Sequence, residues 1–93
     1  MTDQAEDYDA ILYDAMPVNL GGVCRVWGRI KEDKKQRFDD GAGVWTSRVL
    51  GYEQGLLRTK NSTYNVIWRN ADCLPDLYAA LIADRKQAAE EGA

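Results

Sequence analysis

The stretch QAEDYDAILYDAMP, residues 4–17, decides how the rest of the chain is read. Tyr8, Ile11, Leu12 and Ala15 recur at i, i+3, i+4 and i+7, the spacing of one face of an α-helix. Asp3 stands where an N-cap belongs, and Glu6 three residues later completes a capping box. Acids in the first turns suit the positive end of the helix dipole. Pro17 closes the segment, because the residue before a proline avoids helical geometry. The pattern predicts a helix over about residues 4–15, with fraying of the first seven residues as the alternative.

Downstream the period changes from 3.6 to 2. In residues 22–30, GVCRVWGRI, Cys24, Val26 and Ile30 share one face, and Val23, Arg25, Trp27 and Arg29 share the other. That is a strand with one buried and one wet side. Residues 31–36, KEDKKQ, form a charged connection, and Asp39-Asp40-Gly41 is a turn signal. Residues 43–50, GVWTSRVL, predict a second strand of ambiguous phase: Trp45, Ser47 and Val49 share one face and Val44, Thr46, Arg48 and Leu50 the other, so that with Trp45 and Val49 inward, Thr46 and Arg48 are outward. Residues 51–55 make a turn. In RTKNSTYNVIW, residues 58–68, the apolar phase switches from odd to even at Lys60-Asn61-Ser62. A regular strand cannot change phase without a turn or a bulge. A hairpin of 55–60 and 63–69 follows, its turn at 60–62, and one long bulged strand is the alternative. Residues 74–90 read as a second helix with an apolar stripe of Leu74, Leu77, Tyr78, Leu81, Ile82 and Ala89. Pro75 sits in its first turn, and Asp72 or Asp76 serves its N-terminus. The expected fold is a single α+β domain over residues 1–93. It has a small twisted antiparallel sheet of about four strands between an N-terminal and a C-terminal helix.

Ninety-three residues support one modest core. The chain has no histidine, which excludes Ser-His-Asp and Cys-His mechanisms and histidine metal sites. No P-loop, dinucleotide-binding glycine pattern or HExxH occurs. Cys24 and Cys73 are far apart and flanked by apolar residues, as reduced core thiols are. No run of about 18 apolar residues is present, and the N-terminus has no signal-peptide layout, so the expected location is cytoplasmic. A non-enzyme without cofactor or metal is expected.

The net charge of −3 hides a polarised layout. Residues 1–19 carry Asp3, Glu6, Asp7, Asp9 and Asp14 and no base, residues 20–70 carry ten Lys/Arg against five acids, and residues 71–93 are again acidic. Such asymmetry biases the choice of partner. On the wet face of the sheet, Arg25, Arg29 and Arg48 surround Trp27, and Arg58, Lys60 and Asn61 stand at the hairpin end. Arginines around an aromatic platform grip an acidic protein partner or single-stranded nucleic acid. The same pattern is also what a half-exposed sheet carries by default, polar side chains outward. The acids Asp3, Glu6, Asp7, Asp9 and Asp14 offer an alternative surface that could imitate phosphate. Pairing of sheet edges between copies, giving a homodimer, is a third possibility.

Gly28, Asp40-Gly41, Thr46-Ser47, and then Thr59, Asn61, Ser62 and Tyr64 form a pattern over residues 23–68 that resembles small uncharacterised phage- and prophage-encoded proteins. The resemblance implies a mobile-element origin. By analogy with anti-CRISPR proteins, it implies an inhibitor that binds and blocks a host protein or ribonucleoprotein complex, without membrane contact.

Overall fold

The computed structural model describes residues 8–91, and the side chains of residues 8–86. Over the described residues the chain is α+β, with six strands followed by one helix. The strands are β1 (Ala10–Leu20), β2 (Val23–Lys31), β3 (Gly43–Trp45), β4 (Val49–Glu53), β5 (Leu56–Thr59) and β6 (Thr63–Trp68), and the helix is α1 (Cys73–Glu91). They form one mixed sheet in the order β3-β2-β1-β6-β5-β4, in which β1 and β6 run parallel and every other pair is antiparallel.

The expected four-stranded antiparallel sheet between two helices is therefore corrected. Residues 4–7 of the expected N-terminal helix lie outside the described residues. Its second half is β1, at the centre of the sheet. The helical spacing has a physical source. The ladder to β2 shifts between Tyr13 and Met16, and the ladder to β6 shifts between Leu12 and Ala15. This is a β-bulge, with Asp14 at a φ of 52°. Ala10 and Leu12 are buried before the extra residue and Ala15 after it. A bulge turns the strand spacing of two into two-then-three, which imitates a helical stripe. Gly28 faces the bulge: a Cβ there would lie 2.8 Å from Leu12 Cγ and 3.1 Å from the Tyr13 carbonyl oxygen. Only glycine permits so close an approach.

Pro17 does not end β1. It pairs with Val26, whose N–H and C=O both point away from β1, toward Thr46. The 17/26 pair is thus the non-hydrogen-bonded kind, so the Pro17 nitrogen points to the side of β1 that β6 has already left at Ala15. A missing N–H costs no ladder bond there.

The expected strand over 43–50 is two strands, β3 and β4, on opposite edges of the sheet. A flat sheet would separate edge strands by five spacings, about 24 Å. The four residue steps from Trp45 to Val49 reach at most about 14 Å. The sheet is therefore rolled, with its edges brought toward each other. Inside the roll lie Leu12, Val26, Ile30, Val44, Val49, Leu57, Tyr64 and Val66, with Leu77 and Leu81 of α1 packed against them. Each such aliphatic side chain contributes about 1.5–3 kcal/mol on burial. The remaining seam is closed by side chains instead of a ladder. Cys24 N–H donates to Asp84 Oδ2 of α1 at 2.9 Å, and Val26 N–H donates to Thr46 Oγ1 at 3.0 Å. Arg48 pairs with the buried Asp84 at 3.3 Å.

β5 and β6 form a hairpin turning at Lys60-Asn61-Ser62. Thr59 ties the corner: its hydroxyl donates to the Ser62 carbonyl at 2.7 Å and accepts the Ser62 N–H at 3.1 Å. No helix among the described residues is long and apolar enough to cross a membrane.

Candidate interaction face of the sheet

The side of β2 that faces away from the core presents Arg25, Trp27, Arg29 and Lys31 in strict alternation with the buried Cys24, Val26 and Ile30. β3 pairs with it so that Trp45 stands directly beside Trp27. Trp27 is half-buried, and Trp45 is 54% exposed. Trp45 therefore points out and its neighbour Val44 fills the inward position, which decides between the two phases the sequence leaves open. In a strand of three residues, alternation alone does not choose the phase. The choice is made by the register against Trp27.

The cations of this face are held in place from below. Arg25 Nη1 donates to the Thr46 carbonyl at 3.1 Å, and Arg29 Nη1 donates to the Gly41 carbonyl at 3.0 Å. Arg69 lies 5.8 Å from the centre of the Trp27 ring and donates to Asp14 through Nε at 2.9 Å and Nη2 at 3.2 Å. Lys31 sits 5.4 Å over the ring of Tyr13. The hydrogen bonds from Arg69 hold the Asp14 carboxyl below its ordinary range, against a smaller opposing effect of burial, and the charges of Arg69 and Arg29 add to them. The result is a platform of two tryptophans with pre-positioned guanidinium groups at its rim. Such cation–π contacts contribute about 0.5–1 kcal/mol each at exposed sites.

The other candidates divide. Arg48 is not on this face, since its guanidinium serves Asp84 at the seam. Thr46, outward only in the phase that puts Trp45 inside, is 1% exposed and bonded to Val26. Asn61 closes the corner, its N–H donating to Ser47 Oγ and its carbonyl accepting from Lys35 Nζ. Lys60 donates its backbone N–H to the Arg48 carbonyl and leaves its side chain exposed. Arg58 is exposed on β5 and lines a groove between β4 and α1.

Of the alternative acidic surface, Asp9 and Asp14 are among the described residues. Asp3, Glu6 and Asp7 lie outside them. Asp9 accepts the Thr63 N–H at 2.9 Å and lies 3.8 Å from Lys35, and Asp14 is paired to Arg69.

Two buried carboxylates are absent from the sequence-based candidates. Asp84 had a readable signal: it follows Leu77 at i+7 and Leu81 at i+3, on the inward face of α1. Asp33 lies in the charged connection and had none. It accepts N–H groups from Lys35 and Arg37 and a two-nitrogen contact from the Arg37 guanidinium, which also donates to Ser62 Oγ. Burial alone would push the Asp33 carboxyl up. The bonds from Arg37 and from the Lys35 N–H outweigh burial and hold it below its ordinary range. This network fastens the 31–37 loop to the hairpin corner.

Reactive chemistry is scarce. Burial, aided by the Asp84 charge, pushes the Cys24 thiol up to about 11, so it stays protonated and inert at neutral pH. Cys73 is also buried, and both cysteines are free. Among the described residues no group of three His, Cys, Asp or Glu could hold a metal ion. No protein-family model, curated protein or solved structure matches the chain.

Proposed function

We propose that the protein is a non-enzymatic binding protein that docks an acidic patch of a partner protein on the Trp27–Trp45 face. The observation that carries the reading is the register pair Trp27–Trp45, with Trp45 more than half exposed and Arg25, Arg29 and Arg69 fixed around it. Tryptophan and arginine dominate the energetics of protein interfaces, and pre-positioned side chains lose little entropy on docking. Each arginine bonds a carbonyl or a carboxylate through part of its fork, which leaves the remaining N–H groups for carboxylates of a partner. Taken with the likeness to phage-encoded proteins, the reading extends to an inhibitor that occupies a host complex, of the anti-CRISPR kind by analogy.

The test is affinity capture from host lysate, with and without nuclease, using the wild-type chain and Trp45→Ala. The reading expects capture that survives nuclease and is lost in the variant. Capture that vanishes with nuclease, together with oligonucleotide binding that weakens steeply with salt, assigns the face to single-stranded nucleic acid instead. Capture unchanged by Trp45→Ala removes the face from consideration.

A further inference from the structure

A second exposed apolar area lies away from the tryptophan face, in a groove of about 500 Å³ between β4 and α1. Leu50 is 56% exposed, Tyr78 48% and Ile82 68%. Arg58 and Arg85 line the same groove, and among the described residues neither has an ion-pair partner. On α1, Tyr78, Ile82 and Arg85 follow one another at i, i+4 and i+7, so they share one stripe of the helix. We propose that this stripe is the isologous contact of a weak dimer, whose occupant is a second copy of this chain.

The stripe is self-complementary. Two copies of α1 laid antiparallel about a two-fold axis between Leu81 and Ile82 bring Ile82 against Ile82 of the second copy. The same operation sets Arg85 at the height of the second copy's Tyr78, on the same flank, where the guanidinium meets the ring face. The apolar centre is thus flanked by two identical cation–aromatic pairs. Leu50 widens the apolar centre from the side of β4. The sheet edges are poorer contacts for self-association. β3 has three residues, and β4 carries a register shift between Val49 and Gly51 that twists its edge away from further pairing. Three or four large side chains from each copy correspond to a contact near the small end of specific interfaces, roughly 1,000 Å² in total, so the affinity is modest.

Sedimentation equilibrium of the full chain from about 5 μM to 1 mM is the test, a range that spans weak association. The expected result is a mass that rises toward the dimer with concentration. Ile82→Glu should weaken association by roughly 100-fold and Arg85→Glu by roughly tenfold. Both sites are exposed, so far-UV circular dichroism should show an unchanged fold. Ile82→Cys under oxidation should give a covalent dimer, because residues next to a two-fold axis meet their own copies. Trp45→Ala should leave association intact, which keeps this proposal separate from the reading of the tryptophan face. A wild-type mass that stays monomeric to 1 mM overturns the proposal. So does association that Ile82→Glu does not change.

Discussion

The tryptophan face and the seam use the same residue types to opposite ends. On the face, Arg25 and Arg29 bond backbone carbonyls and stand beside an exposed tryptophan. At the seam, Arg48 turns to a carboxylate that is almost wholly buried and that also receives a strand N–H. A buried carboxylate with its donors removed has no water to replace them, whereas an exposed guanidinium does. The difference teaches that arginines near a sheet edge sort by what lies beneath them. Where the underlying group is a buried acid they hold the fold, and where it is a carbonyl beside open solvent they remain available.

The largest expected effect breaks the seam. Asp84→Ala leaves the Cys24 N–H and Arg48 without their partner and should cost about 2–3 kcal/mol in urea denaturation. A loss under about 0.5 kcal/mol would show that water replaces the carboxylate and that the seam is open. Next comes Asp33→Asn, expected to cost about 1.5–2 kcal/mol at neutral pH through lost charge-assisted bonds to the 31–37 loop. Its pH signature has a definite sign. Because the folded-state carboxyl is held low, its contribution is fully present above the unfolded value of about 3.9 and is lost as the pH falls through the lower folded value. Denaturation midpoints of wild type and Asp33→Asn should therefore converge below about pH 4.

Trp45→Ala sharpens the other side of the comparison. It should lower partner affinity by about 2 kcal/mol while changing stability by less than about 1 kcal/mol, read by titration with the captured partner and by thermal melts. Arg48→Ala should do the reverse, lowering stability by about 1 kcal/mol and leaving partner binding unchanged. Smallest is Lys60→Ala, whose side chain is exposed at the corner and whose N–H is untouched. It should move the melt by no more than about 0.5 kcal/mol.

The alternation in residues 22–30, the corner at 60–62 and the C-terminal helix were all legible in the sequence, because each rests on local rules of period, turn chemistry and capping. Cys24, Val26 and Ile30 are inside, and Arg25, Trp27 and Arg29 outside, as their order alone required. Three features were decided only by tertiary structure. β1 carries an inserted residue opposite Gly28, and a bulge disguises a strand as a helix until its partner strand is known. Residues 43–50 look continuous, yet the three residues between β3 and β4 carry the chain from one edge of a rolled sheet to the other. The sheet closes on itself through Thr46, Arg48 and Asp84, residues up to 38 positions apart whose pairing no local period encodes. Local geometry sets which way a side chain points along its own strand. Only the packing of distant segments sets whether that direction meets water, a core or a buried charge.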